Sequence, residues 1–185
     1  REVRIMRSKF DSQLATLSEE MTQMGAYCEE VIALAAKALL EGEAQLGAKV
    51  ADIDSKIDRM ERDIESLCFK LILRQQPVAK DLRQISAALK MITDLERIGD
   101  QADDIAEIIP FLGGRTGAEC ESVSLMARET IRMVTESVDA YVKGDVELAK
   151  AVIAHDDVVD DCFGNVKSSL IRLITERRED AEYAL

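Results

Sequence analysis

Acidic side chains at helical spacing are the residues of this chain that could do chemistry. One row is separated by steps of four, three and four residues, at Glu96, Asp100, Asp103 and Glu107. With about 100° of rotation per residue, a helix holds these four carboxylates within an arc of about 60°. An earlier row with similar spacing consists of Asp54, Asp58, Glu61 and Glu65. If the two helices are neighbours, the two rows could face each other.

Two rows of like charge raise the hypothesis of a cation site between helices. Carboxylates four residues apart on one helix repel each other by roughly a few tenths of a kcal/mol per pair, and a bound cation would relieve that repulsion. Carboxylate oxygens are hard ligands that suit Fe³⁺, Mn²⁺, Mg²⁺ or Ca²⁺, and they suit a closed zinc site poorly. The alternative is a solvated polar face, which is ordinary on amphipathic helices and which the periodicity alone favours.

An internal repeat narrows the choice of ligands. A shift of 102 residues aligns Gly42 with Gly144 and Val50 with Val152 without gaps. The same shift places Asp156 and Asp160 opposite the first acidic pair of the earlier row, whereas Phe163 and Lys167 stand opposite Glu61 and Glu65. The Asp-x-x-x-Asp pair is therefore the part common to both copies, which makes Asp54, Asp58, Asp156 and Asp160 the better ligand candidates.

Apolar residues at three- and four-residue steps predict long helices over 11–41, 43–75 and 80–109, which end at Gly42, Pro77 and the Gly113-Gly114 turn. Short connections make such neighbours antiparallel, so the three form one bundle. On the third helix the predicted core seam is Met91, Leu95, Ile98, Ala102, Ile105 and Ile109. We expect an all-α fold of tandem three-helix bundles.

The predicted domains are 8–112, a complete three-helix repeat, and 116–185, an incomplete one. The second copy reaches Leu185 where the equivalent of the third helix would begin. We therefore expect the second bundle to lack its third helix in this chain. A trimmed or lost segment, or a helix swapped in from a partner, would account for that.

Composition excludes several classes of function. The formal net charge of −12 repels a phosphate backbone, which disfavours nucleic acid as a partner. The longest apolar run, 31–40, is interrupted by Lys37 and is too short to cross a bilayer. We find no Gly-rich phosphate loop and no nucleophile beside a base, so no enzymatic activity is expected.

The chain has four cysteines, Cys28, Cys68, Cys120 and Cys162. They lie far apart in the sequence, which favours reduced thiols.

The single histidine does not change this interpretation. In the repeat, His155 aligns with Ile53, an apolar position, so it is expected to be a satisfied histidine at the edge of the core and not a ligand. One histidine also cannot supply the two Glu-x-x-His elements of a ferritin-like di-iron bundle.

Two segments of the chain resemble the signature of the PhoU family. They are Leu73–Arg83, with the sequence LRQQPVAKDLR, and Asp94–Ala102, with the sequence DLERIGDQA, which continues to Ile105–Glu107. The resemblance extends from about Phe10 onward, and it implies a pair of three-helix bundles whose acidic motifs can hold a multinuclear iron cluster or other metal cations. Manganese, magnesium, calcium and zinc are the alternatives to iron.

The resemblance also assigns positions to the metal. Glu96 and Asp100 match the family's acidic motif, with Asp103 and Glu107 continuing the same row. Asp54 and Asp58 look like the facing pair, and Asp156 with Asp160 corresponds to that pair in the second bundle. A complete second site is in doubt because the chain lacks the second signature helix.

The function that the resemblance implies is regulation. PhoU proteins restrain the phosphate-starvation response by linking a Pst-type phosphate transporter ATPase to a sensor histidine kinase. We therefore expect a cytoplasmic homodimer, located at the membrane only through those partners and using no catalysis. A metal-storage or metal-buffering bundle is the first alternative, and a purely structural helical adaptor is the second.

Overall fold

A computed structural model of the chain describes residues 2–75, 77–116 and 121–185, with side chains described over 9–73, 77–116 and 122–185. Five long helices account for most of it, followed by a short sixth: α1 (Glu2–Glu41), α2 (Gly47–Gln75), α3 (Ala79–Ile108), α4 (Glu121–Lys143), α5 (Val146–Glu176) and α6 (Ala181–Ala184). Three short 3-10 turns lie at Ala44–Leu46, Ile109–Leu112 and Arg178–Asp180. These residues contain no strand, so the all-α prediction is confirmed.

The helix boundaries differ from the prediction mainly in the first hairpin. Helix α1 begins at Glu2, ahead of the predicted start at Asp11, since no proline or glycine interrupts the chain there. Helix α2 begins at Gly47, later than predicted, because Ala44–Leu46 form a 3-10 turn. Among the described residues, no helix combines the length and the apolar character needed to cross a membrane.

The two copies of the repeat share one turn geometry. Gly42 and Gly144 adopt φ angles of 70° and 65°, in the left-handed region that favours glycine. After each glycine a backbone N–H returns to the helix: that of Glu43 donates to the Ala38 carbonyl at 3.0 Å, and that of Asp145 donates to the Ala140 carbonyl at 2.9 Å. The sequence repeat is therefore also a repeat of local structure.

Helix α1 lies at the centre of the molecule, in contact with α2, α3 and α4, while α5 packs mainly on α4. The Thr135 hydroxyl on α4 donates to the Glu29 carboxylate on α1 at 2.7 Å. Helices α1 and α4 run antiparallel, since Thr135 lies beside Glu29, while Val138, later on α4, lies beside the earlier Gly25 of α1. Their shared core includes Leu17, Met21, Met24, Val31, Val134 and Val138. One continuous core thus joins the first three helices to the second hairpin.

The predicted core seam of α3 is wrong in part. Leu95, Ala102 and Ile109 are buried as predicted. The other buried positions of α3 are Asp81, Ile85, Ala88, Ile92, Gly99 and Ala106. Ile105 is 41% exposed, and Met91 and Ile98 are only partly buried. Small side chains allow the neighbouring helices to approach closely, yet they contribute little to a hydrophobic pattern. The periodicity of large residues therefore missed the small buried positions Ala88, Gly99 and Ala106.

The second hairpin is less buried than the first. Ile64 and Leu71 on α2 are fully buried, whereas their equivalents Val166 and Leu173 on α5 are partly exposed. Within the described residues α5 is followed only by the short helix α6. The division into a complete and an incomplete bundle stays a prediction.

The described cysteines behave as predicted. Cys28, Cys68 and Cys162 are free and buried, and Cys120 lies outside the described residues. Burial raises the pKa of Cys28 to about 12 and that of Cys68 to about 11, which keeps both thiols protonated.

Candidate metal centre

Three aspartates meet on the outer face of the α2–α3 hairpin. One carboxylate oxygen from each of Asp54, Asp58 and Asp100 lies within 4.8 Å of the other two. Asp54 and Asp58 are one turn apart on α2 and partly buried, while Asp100 lies on α3 and is exposed. Oxygens that bind one hard cation at 2.0 to 2.6 Å lie at most about 5 Å apart. The group therefore has the dimensions of a cation site that opens to solvent.

Gly99 makes room for the deepest of these carboxylates. A Cβ atom at position 99 would lie 2.5 Å from Oδ1 of Asp54 and 3.2 Å from Cδ1 of Ile57. Because glycine has no Cβ atom, the Asp54 side chain reaches the α3 backbone. Its Oδ1 is buried there with no hydrogen-bond partner among the described residues. An unpaired buried oxygen costs about 1 to 3 kcal/mol. A hard cation would satisfy that oxygen, so the residues present fit the metal that the resemblance implies.

Further carboxylates interact electrostatically with the three aspartates. Burial raises the pKa of Asp54 to about 6, assisted by the charges of Asp58, Asp100 and Asp103. Burial also raises the pKa of Glu96, with further contributions from Asp100, Glu61, Asp58 and Asp54. These carboxylates therefore share one negative field, which a bound cation would neutralise.

The other predicted ligands on α3 differ in how close they lie to the three aspartates. Asp103 and Glu96 adjoin the three aspartates, and Glu61, which the predicted ligand set did not include, is close enough to raise the pKa of Glu96. Glu107 is exposed near the end of α3, outside the group of three.

The acids of the second repeat are in a different setting. Asp156 and Asp160 are both exposed on α5. Asp156 lines a groove of about 340 Å³ between α3, α4 and α5, together with Asp94, Met91 and Ile98. Among the described residues, neither aspartate belongs to a group of three acids at metal-binding distance. The structure thus brings together the predicted ligands of the first repeat only.

His155 has a partner of its own. Its Nε2 lies 2.8 Å from Oε2 of Glu129, linking α5 to α4 with both side chains largely buried. This hydrogen bond is the largest cause of the lowered pKa of Glu129. The histidine is satisfied, as expected, and it is not among the clustered carboxylates.

Comparison with known proteins agrees with this fold. The family profile described as "PhoU domain" matches residues 21–109 and 123–185. A "Phosphate-specific transport system accessory protein PhoU homolog" from Synechocystis sp. is 34% identical over 165 residues, covering 89% of this chain and 74% of the relative. The protein of the same description from Clostridium acetobutylicum is 34% identical over 172 residues, covering 92% and 78%.

Solved structures show the same architecture. The crystal structure of PhoU from Pseudomonas aeruginosa matches with a TM-score of 0.88 at 30% identity, covering 95% of this chain and 85% of that one. The phosphate transport system regulatory protein PhoU from Streptococcus pneumoniae matches with a TM-score of 0.83 at 20% identity, covering 95% and 83%, and shows the fold alone. In sequence and in structure, this chain belongs to the PhoU family.

Proposed function

We propose that the chain regulates phosphate uptake and the phosphate-starvation response as a metal-binding helical adaptor between a Pst-type transporter ATPase and a sensor histidine kinase. The observation that carries the proposal is the match, along 89% of the chain, to a relative described as an accessory protein of a phosphate-specific transport system. Long helical faces suit an adaptor, which acts by contact and needs no reacting group.

The proposed mechanism is a docking equilibrium. An adaptor that binds one state of the transporter or kinase more tightly than another shifts the partner toward that state. A cation bound between α2 and α3 would supply electrostatic cross-linking. Asp54, Asp58 and Asp100 would hold it, Gly99 leaves space for Asp54, and the neighbouring Glu96 increases the local negative potential.

The adaptor proposal is tested in cells that are rich in phosphate. Affinity purification of the tagged chain should recover the transporter ATPase or the kinase, and deletion of the gene should release phosphatase expression from phosphate control. Recovery of neither partner, together with normal phosphatase control in the deletion strain, would refute the adaptor function.

The metal proposal has a separate test. A cation that binds only the folded chain stabilises it by RT ln(1 + [L]/Kd), or about 2.7 kcal/mol at 100 times Kd. Mn²⁺ should therefore raise the melting temperature of the wild type. The matched control is Asp104→Asn, because Asp104 is an exposed acid one turn from Asp100, and this variant should show the same rise. Asp100→Asn should lose most of this gain. Equal gains in both variants would exclude Asp100 from the site.

The carboxylate cluster supports a second candidate, a metal-storage or metal-buffering bundle. Storage predicts that the metal content per chain follows the metal supply in the medium, and that phosphatase control is unaffected by deletion. Adaptor function predicts a fixed metal content and a clear effect of deletion on phosphatase control. Elemental analysis of the purified chain from metal-poor and metal-rich cells distinguishes the two.

A further inference from the structure

The tip of the α2–α3 hairpin exposes large apolar side chains. Leu73 is 81% exposed and Val78 is 57% exposed, on either side of Pro77. One turn further from the tip, Phe69 on α2 and Leu82 on α3 are 49% and 44% exposed. Four such residues at one end of a hairpin form a patch that requires a physical explanation.

The repeat shows that the hairpin does not need this patch. The equivalents of Leu73, Val78 and Leu82 are Thr175, Asp180 and Ala184, and the second tip still forms a turn between α5 and α6. Only Phe69 has a large apolar equivalent, Ile171, which is 55% exposed. That tip is also anchored to the segment between the repeats, since the Arg115 guanidinium donates to Asp180 at 2.7 Å and the Tyr183 hydroxyl donates to the Thr116 carbonyl at 2.8 Å. The turn itself therefore does not require Leu73, Val78 or Leu82.

Charge distinguishes the two tips as well. Residues 69–83 carry four basic side chains and one acid, a net charge of +3, whereas the equivalent residues 171–185 carry three arginines and four acids, a net charge of −1. The acid of the first tip, Asp81, is buried. The first tip is thus a positive end on a chain whose formal net charge is −12.

We propose that this tip binds the surface of an anionic phospholipid bilayer. Leu73 and Val78 enter the interface, while Lys80 and Arg83 stay at the level of the lipid phosphates. Apolar residues are followed directly by basic ones on both helices, as in Phe69-Lys70 and Leu82-Arg83. Neighbouring helical positions lie about 100° apart, so the charges surround the apolar patch. An interfacial anchor combines apolar side chains that enter the bilayer with basic side chains at the level of the lipid phosphates, and this tip carries both.

The acids of α2 lie away from this contact, and among the described basic residues of the tip Glu20 on α1 interacts electrostatically with Lys70 alone. The three clustered aspartates lie far along the hairpin: Asp54 precedes Leu73 by 19 residues, or about 28 Å of helix. Glu65, the nearest exposed acid before the tip on α2, is about 12 Å from Leu73 along the axis. Both separations exceed the Debye length of about 8 Å at physiological salt. The tip can therefore bind an anionic surface while the acidic end faces away from it. This contact goes beyond the proposed function, and it replaces the expectation from the sequence that partners alone bring the chain to the membrane.

Vesicle flotation tests the proposal on the full chain. The wild type should float with vesicles made of equal parts phosphatidylglycerol and phosphatidylcholine, should stay unbound with phosphatidylcholine alone, and should be released by high salt. The Leu73→Glu, Val78→Glu double variant should lose binding. The matched control is Ile108→Glu, Phe111→Glu at the opposite end of α3, since these residues are 54% and 87% exposed and the change in charge is equal. The control should bind like the wild type.

A second pair of variants separates charge from apolar contact. Each basic residue near an anionic surface contributes about 1 kcal/mol, so Lys80→Gln, Arg83→Gln should weaken binding about 30-fold. Lys37→Gln, Lys49→Gln, at the other end of the bundle, should leave binding unchanged. The proposal is overturned if the wild type does not float, if neutral vesicles bind equally well, or if the control variants lose binding as much as the tip variants do. Loss of a protein partner in the tip variant, without vesicle binding by the wild type, would instead assign the tip to a protein contact.

Discussion

Replacement of Gly99 by alanine should separate the stability of the fold from the affinity of the metal centre. An added Cβ would lie 2.5 Å from Oδ1 of Asp54, and this oxygen is the end of a flexible side chain. The carboxylate can therefore rotate toward solvent while the backbone stays in place. The Cδ1 methyl of Ile57, at 3.2 Å, needs to move only a few tenths of an ångström.

Two contributions should raise the free energy of unfolding of the Gly99→Ala variant. Alanine is more favourable than glycine inside a helix by about 0.8 to 1 kcal/mol. Asp54 also escapes the burial and repulsion that raise its pKa to about 6, against an ordinary 3.8. At about 1.4 kcal/mol per pKa unit the full difference is about 3 kcal/mol, and partial exposure reduces this to about 1 kcal/mol. Without metal at pH 7.5, Gly99→Ala should therefore gain about 1 to 2 kcal/mol, or roughly 2 to 8 °C in melting temperature.

The pH dependence supplies a sign check. Because folding raises the pKa of Asp54, the folded state binds more protons than the unfolded state between about pH 4 and pH 6, and wild-type stability falls as pH rises through that window. Gly99→Ala should remove this decline. Its advantage over the wild type should therefore be largest above pH 6 and should shrink toward the helix-propensity term near pH 4.

Thermal unfolding followed by circular dichroism, in EDTA and in Mn²⁺, measures both effects. The variant should lose the Mn²⁺-dependent rise in melting temperature, because Asp54 no longer occupies its place beside Asp100. Gly164→Ala is the matched control, since a Cβ there would meet nothing within 4 Å. It should show the helix-propensity gain alone and keep the response of the wild type to metal. A full Mn²⁺ response in Gly99→Ala, or a loss of several kcal/mol without metal, would refute this reasoning.

Three further predictions concern packing, the interhelical pair and the thiols. Leu71→Ala should lower the free energy of unfolding in urea by about 2 to 5 kcal/mol. Leu173→Ala, at the equivalent but partly exposed position, should lower it by less than half as much. Equal losses would contradict the packing described for the two hairpins. His155→Ala should lower the melting temperature at neutral pH and flatten the dependence of the melting temperature on pH below about pH 4.5. The interaction that lowers the pKa of Glu129 stabilises the fold above that pH, and this stabilisation is lost as the pH falls. An unchanged pH dependence below pH 4.5 would contradict this prediction. Cys28 should react with a thiol reagent only at the rate of unfolding, measured by mass spectrometry in native buffer and in urea, and fast labelling in native buffer would show that it is accessible.

The helices and their order could be predicted from the sequence because large apolar residues recur at three- and four-residue steps and glycine or proline marks the turns. The approach of Asp54 and Asp58 to Asp100 follows from the same periodicity, once the short connection makes α2 and α3 antiparallel. These features depend on spacing along the chain, which a sequence shows directly.

Other features depend on contacts between helices, which spacing does not show. The role of Gly99 rests on the position of Asp54 on a different helix, and the only sequence signal was a glycine inside a strong helical pattern. The core seam of α3 was predicted only in part, and two of the buried positions it missed, Ala88 and Ala106, are small. Neighbouring charges, together with burial, raise the pKa of Glu96, and those charges come from both helices, so no single segment indicates the effect.

The anchor between Arg115 and the end of the chain has a kinetic consequence. Arg115 binds Asp180 and lies 3.7 Å from the centre of the Tyr183 ring, so the interrepeat segment is joined to residues about 65 positions later. Closing so long a loop costs entropy that only a formed α4–α5 hairpin can offset. The anchor should therefore form late in folding and open early in unfolding. Amide protons of residues 178–184 should exchange with solvent faster than those in the middle of α1, where the core is continuous.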